Sequence, residues 1–365
     1  MTVYGITRRI GGMKRRTLIA SGLGAAAGAT LLGTASQAQS KDVIIATTAG
    51  LMERSLQEHF YRRFEQEQGI RVRSVPIELP DQWARAVAAG RSGGPAPFDI
   101  VTATPPDLIQ HKDILLPIDC DKQETVKKNA LPNSCFPHGL MRTGGGMVML
   151  WNGKNFPAGK EPQSWADFFD TAKFPGPRTL PDTGDREWWV PVMALLADGV
   201  AVDKLFPLDL DRAYRKLDTL KPSVAAWWKS GDNSMQILRG GEAVMAMVYS
   251  SRAVPLTKSE GFNFTWNQAI RDVGNWAILK NAPNAANALA FLNFFTTNPQ
   301  EHVPFSAKVS FDSNNAAAAN LVPAEERRFR PSWPDNWSKL VVADYEWIAV
   351  HRAAMRERWI SWLTR

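Results

Sequence analysis

Val43-Ile44-Ile45-Ala46-Thr47 opens the stretch, residues 43–103, whose alternation decides the fold. The run is short, β-branched and uninterrupted, so it reads as a buried strand. Behind it Leu56, Phe60 and Phe64 recur at i, i+4 and i+8 within 52–68, the apolar face of a helix that Gly69 stops. Residues 70–75 read as a strand, 81–89 as a helix, 90–97 as a Gly/Pro loop and 98–103 as a third strand. Strand–helix–strand–helix–strand predicts an α/β layer with a parallel sheet. Ligands of such sheets gather beyond the carboxyl ends of the strands, here Thr48 to Gly50 and Thr104-Pro105.

The same alternation returns downstream. Residues 147–151 read as a strand leading out of a first lobe. Helices near 165–170, 187–197, 209–220 and 234–239 then alternate with strands near Thr179, 224–228 and 243–249. A strand at 276–279 and an apolar-faced helix at 285–295 return to the first lobe. The expected organisation is therefore 39–150 plus 276–320 as one α/β lobe and 151–275 as the other. More than one strand crosses between them, which makes a hinged clamp. The Trp- and Arg-rich segment 321–365 ends in a helix on the outside of the clamp, its lobe unassigned.

Upstream, Arg8-Arg9 and Lys14-Arg15-Arg16 precede a weakly apolar run over 18–33, and Ser36-Gln37-Ala38 supplies small residues at signal-peptidase positions. This pattern predicts an export signal over 1–38, cleaved near Ala38. Adjacent arginines before a mild apolar run favour the twin-arginine machinery and the periplasm. The run is shorter than the ~20 residues that span a bilayer. The roughly 327 residues that follow exceed the size at which one core keeps growing, which again argues for two lobes.

The formal net charge of +7 is partly an effect of this leader, whose five basic and no acidic residues leave the rest near +2. Nucleic acid is therefore not an expected partner. The five histidines are scattered without metal-ligand spacing, and GxSxG, P-loop and strand-linked GxGxxG motifs are absent. No cofactor and no metal are expected. Cys120 and Cys135 match no metal motif; in an oxidising compartment a single disulfide between them is expected. Most of the fourteen tryptophans belong to cores, with a few, such as Trp188 and Trp228, left to wall a cleft.

Binding candidates stand out more clearly. Ser230-Gly231-Asp232-Asn233 lies between the strand ending in Trp227-Trp228 and a helix, where backbone N–H groups gather. Asp232 and Asn233 read equally well as plain helix caps, as does Asp185 ahead of Arg186-Glu187-Trp188. Arg142, before a strand, and Arg252, after Tyr249 at the end of another, suit bidentate capture of a carboxylate or phosphonate; the alternative is an inter-lobe ion pair.

Several segments together resemble the spermidine/putrescine-binding proteins among the solute-binding components of bacterial ABC importers. They are Phe64-x4-Gly69-Ile70-x-Val72, Phe98-Asp99-Ile100-Val101, Ser164-Trp165-Ala166-Asp167-Phe168, Lys173-Phe174-Pro175-Gly176 and Ser230-Gly231-Asp232-Asn233. Gly241-Glu242-Ala243-x-Met245 and Asn287-Ala288-Leu289-x-Phe291-Leu292-Asn293-Phe294 complete the set, in order over 42–320. The resemblance implies a two-lobed, type II periplasmic-binding-protein clamp with hinge strands. Such a clamp is a monomer that closes on a small solute and delivers it to a membrane permease. It also implies aromatics that sandwich the ligand and carboxylates that hold its ammonium groups.

Carried over by position, the family's cleft residues fall on Thr47, Thr48, Ala49, Thr104, Asp185 and Tyr249. A second acidic position reads as Trp189, and the aromatic-x-Asp before the return strand reads as Asp272-Val273-Gly274, a carboxylate missing or moved. A diammonium ligand needs a carboxylate at each end, because an unpaired desolvated charge costs several kcal/mol. The expected cargo is thus a small polar organic solute, an amine, zwitterion or organic anion, with the lost partner weighing against a polyamine. Two alternatives remain: a thiaminase-like enzyme on the same fold with Cys120 or Cys135 as nucleophile, and a ligand-presenting protein for a sensor.

Overall fold

The computed structural model describes residues 41–184 and 186–365; the expected signal with its Ala38 site, and Asp185, lie outside these. Strand β1 (Asp42–Thr47) pairs in parallel with β2 (Arg71–Pro76) and, at Ile45, with β3 (Ile100–Ala103). Parallel neighbours need crossovers, supplied by a helical run over 51–68 and by the helix Leu79–Ser92. Leu56, Phe60 and Phe64 are buried along the first of these, and Gly69 ends it with a left-handed φ of 64°. The run differs from a plain i+4 helix in one respect. A π-turn over Gln57–Tyr61 adds a residue to the turn and brings Tyr61 inward beside Phe60.

The sheet order is β2-β1-β3-β9-β5-β8-β6-β7, built with β5 (Gly139–Asn152), β6 (Arg178–Pro181), β7 (Val224–Trp228), β8 (Met245–Tyr249) and β9 (Phe262–Ile278). Short β4 (Cys135–Phe136) and β10 (Asp312–Ser313) pair with β5. β5 and β9 are antiparallel from Leu140–Trp276 to Asn152–Phe262. The strands expected at 147–151 and 276–279 are the ends of these two long crossing strands. Their middles include Gly144-Gly145-Gly146 and Asp272-Val273-Gly274, which lie outside the expected strands.

Buried side chains group at either end of the crossing pair. Val43, Ile45, Phe60, Phe64, Trp276, Phe291, Phe295 and Phe305 form one cluster, and Trp83, Phe98 and Val101 pack separately beside Ala277. Leu150, Trp165, Phe168, Trp189, Trp228, Met247 and Ile270 form the other. Arg178, fully buried, donates to the carbonyls of Phe168, Phe174 and Gly176, which fixes the Lys173-Phe174-Pro175-Gly176 segment. The C-terminal helix Tyr345–Leu363 joins the second cluster. There Trp359 and Trp362 donate to Asp182 and Asp218 at 2.9 and 2.7 Å, with Trp227 edge-on to both rings.

Cys120 and Cys135 are joined in a disulfide. Its 15-residue separation sets the loop-closure entropy removed from the unfolded chain, about 3 kcal/mol. A Cys120→Ala/Cys135→Ala protein is therefore expected to lose about that much stability in urea unfolding. An unchanged midpoint would contradict it.

Candidate functional site

Strand ends and crossing strands converge on a cavity of about 540 Å³. β1 runs into Thr48 and Ala49, and β3 into Thr104; β5 brings Arg142 and Thr143, β9 brings Asp272 to Gly274, and β8 ends in Tyr249 ahead of Arg252. The helix Gly231–Arg239 adds Gly231 and Asp232. Of the residues singled out by sequence, Thr48, Thr104, Arg142, Asp232, Tyr249, Arg252 and Asp272 thus line one space. Asp272, carried on β9, brings a carboxylate to that space.

Three of the singled-out residues lie elsewhere. Trp228 is fully buried and donates to the Met247 carbonyl, so its ring is core. Trp188 packs between Trp189 and Tyr345 in a crevice behind the cavity. Asn233 closes its own turn, accepting from the Lys229 N–H at 3.1 Å. Neither Asp232 nor Asn233 caps the helix; Ser230 does, its hydroxyl accepting from the Asn233 N–H. Asp185 falls outside the described residues.

Arg142 is the most telling group. It is 6% exposed, its guanidinium lies 4.9 Å from the Trp276 ring centroid, and Nη1 donates to Thr102 Oγ1 at 3.2 Å. Its Nε has no hydrogen-bond partner, and no carboxylate pairs with it among the described residues. Burial pushes its pKa down to about 10, so it remains charged at neutral pH. The hydroxyls of Tyr61 and Thr47 are also buried, facing one another. Burial raises the Tyr61 pKa, so that phenol stays neutral.

The other charges are compensated. The Arg186 guanidinium lies 5.0 Å from the Trp189 ring centroid, with Nε 3.7 Å from Asp272 Oδ1. Arg252 Nε approaches Asp232 Oδ1 at 3.2 Å, but without hydrogen-bond alignment, and the Asp232 side chain is 83% exposed. Such a pair contributes at most about 1 kcal/mol. Arg252 lies directly over Gly231, where a Cβ would stand 2.7 Å from Nε and displace the side chain. Tyr249 stands edge-on to Trp189 and tilted against Trp228, which hold its ring at the cavity wall.

Sequence reasoning missed Thr102, Leu79, Val309 and Phe311, which also line the cavity. Thr102 carries a readable signal, a threonine two residues before Thr104 in a buried strand. Phe311 has none, because it reaches the cavity only through β10 pairing with β5. Neither sulfur of the Cys120–Cys135 bridge lines the cavity, so no thiol is offered to it. Among the described residues no group of three His, Cys, Asp or Glu side chains is placed to hold a metal.

Residues 60–323 match the family model of bacterial extracellular solute-binding proteins. The gamma-aminobutyric acid-binding protein of Pseudomonas aeruginosa is 28% identical over 339 residues, 91% of this chain and 93% of that protein. The spermidine/putrescine-binding periplasmic protein of Escherichia coli is also 28% identical, but over 179 residues, 48% of this chain and 49% of that protein. Polyamine binders are thus the more partial match. Among solved structures, Agrobacterium tumefaciens AttC in its open unliganded conformation is 31% identical with a TM-score of 0.77, covering 88% of this chain and 99% of that one. A GABA receptor structure is 29% identical with a TM-score of 0.76, covering 88% and 97%. The clamp fold, the cavity at its strand ends and these matches agree: the chain belongs to the bacterial extracellular solute-binding protein family, as the periplasmic component of an ABC transporter.

Proposed function

We propose that this protein captures a small zwitterion, an amino acid of the GABA type, and delivers it unchanged to its permease. The observation that carries this reading is Arg142, a buried cation facing the cavity with no carboxylate among the described residues. A ligand carboxylate completes it with charge-assisted hydrogen bonds. Among the described lining residues, Arg142, Arg186 and Arg252 outnumber Asp232 and Asp272, a balance that suits a carboxylate and disfavours a diamine. The similarity to a gamma-aminobutyric acid-binding protein over nearly the whole chain supports the same class.

In this reading 39–150 with 276–320 and 151–275 are the lobes, and they close about β5 and β9. Solute bound to both faces shifts the population toward the closed form that the permease accepts. Export proceeds by the twin-arginine route with cleavage near Ala38, as Arg8-Arg9 and Ser36-Gln37-Ala38 suggest.

Two outcomes are expected. GABA at about a hundred times its Kd adds about 2.7 kcal/mol of stability to the exported protein, visible as a rise in Tm, whereas putrescine and spermidine leave Tm unchanged. A rise with polyamines alone would sink the reading. Arg142→Met lowers GABA affinity roughly a hundredfold or more in calorimetric titration. In the same variant the ligand-free unfolding midpoint in urea does not fall, because an unpaired buried charge is removed. Full GABA affinity in Arg142→Met would exclude Arg142 as the carboxylate site.

A further inference from the structure

The helix Pro105–Gln110 begins at the cavity and offers it no hydrogen-bond donor. Pro105 and Pro106 have no N–H. The Asp107 N–H points to Thr104 Oγ1 at 3.4 Å, and the Leu108 N–H bonds the Thr104 carbonyl at 3.1 Å. Thr104, which lines the cavity, donates both its own N–H (2.9 Å) and its hydroxyl proton (2.6 Å) to Asp107 Oδ2. What its hydroxyl has left to present is a lone pair. Behind it, buried Asp107 is gripped on its other oxygen by Arg352 of the C-terminal helix, Nη1 to Oδ1 at 3.1 Å. Arg352 also reaches Gln110 Oε1 at 3.4 Å. A hydroxyl whose proton is committed to a carboxylate is polarised toward accepting from a cation.

The position of this acceptor matters as much as its sign. Arg142 is tied to Thr102, two residues before Thr104 on an extended chain. Two strand residues span about 6.6 Å and place both side chains on one face. An amino acid whose charges are separated by a few methylenes bridges that distance. An α-amino acid, whose two charges share one carbon, does not.

We infer that Thr104, oriented by Asp107 and Arg352, is the ammonium-recognising edge of the cavity, and that its spacing from Arg142 selects ω-amino acids over α-amino acids. This deepens the zwitterion reading and rests on it. Asp107 and Arg352 are positioning residues, neither of them in the cavity lining.

The test uses calorimetric titration of the exported protein with GABA, its isomer 2-aminobutyrate, and butyrate, which lacks the ammonium. Wild type is expected to bind GABA more tightly than either. Thr104→Val and Asp107→Asn are each expected to weaken GABA roughly tenfold and leave butyrate within about twofold, while Thr104→Ser stays near wild type. Equal losses on GABA and butyrate would mark a merely structural role and overturn the inference while leaving the zwitterion reading standing. Undiminished GABA affinity in Thr104→Val would do the same, as would a wild-type preference for 2-aminobutyrate. A wild type that binds none of the three removes both readings.

Discussion

The antiparallel pairing of β5 with β9 is the constraint on which the remaining architecture depends. Both strands are buried for most of their length, so their N–H and C=O groups are paired alternately across this pair and with flanking β3, β8 and β10. Two register shifts, between Met141 and Thr143 and between Met147 and Met149, bracket the glycine segment. Local twist and bending collect at such bulges. The glycines let neighbouring chains approach: a Cβ on Gly145 would meet Ser250 Oγ at 2.9 Å and the Phe311 ring at 3.0 Å. Beside this segment, Arg142, Thr143 and Asp272 to Gly274 line the cavity. Arg142 sits at the first register shift and Asp272 opposite Gly145, so the proposed ligand contacts would bear directly on the crossing strands.

Among the described residues four arginines are buried, and each meets the cost of burial differently. Arg178 donates to three carbonyls. Arg330 pairs with Asp312 at 3.3 Å, although burial still raises the Asp312 pKa. Arg271 donates to the Asn133 carbonyl and lies over Trp337. Arg142 has one threonine hydroxyl and one indole face, and of the four it alone lines the main cavity. Its depressed pKa states the energetic consequence. The folded state disfavours the charged form, so the cost applies throughout pH below about 10 and is relieved only above it. In the proposed reading, a group kept at such a cost in the face of a cavity is compensated by what enters the cavity.

Much of this was legible in the amino-acid order. Apolar periodicity located β1, the helical run with Phe60 and Phe64, and most elements of the second cluster, because those segments bury one regular face. The middles of β5 and β9 were not legible, since glycines and an aspartate that serve the cavity weaken the strand pattern. The helix at Pro105-Pro106 was missed for a related reason: two prolines read as a loop, yet at a first turn they remove only donors that have no intrahelical partner. Composition misled at Trp188 and Trp228, because a ring that walls a cleft and one that fills a core look alike in sequence. The polar positions fared better. Arg142, Asp232, Arg252 and Asp272 come from distant parts of the chain, yet all reach the cavity because each lies on a crossing strand or in the first turn of a helix that follows a strand.

The cavity's charges divide by how firmly they are held. Arg142, Thr102 and Thr104 sit at or beside the end of β3, fixed by burial, by the Trp276 ring and by Asp107. Groups so fixed lose little freedom on binding. Across the cavity, Asp232 and Arg252 form a solvated pair, and breaking it costs at most about 1 kcal/mol. They can therefore rearrange around a ligand without setting its charge pattern. In the proposed reading recognition is thus concentrated at β3 and the adjoining part of β5, with a cation and an acceptor a short distance apart. A diamine would leave Arg142 buried against a second positive charge, whereas a zwitterion satisfies both positions, and that difference follows from groups that cannot move away from it.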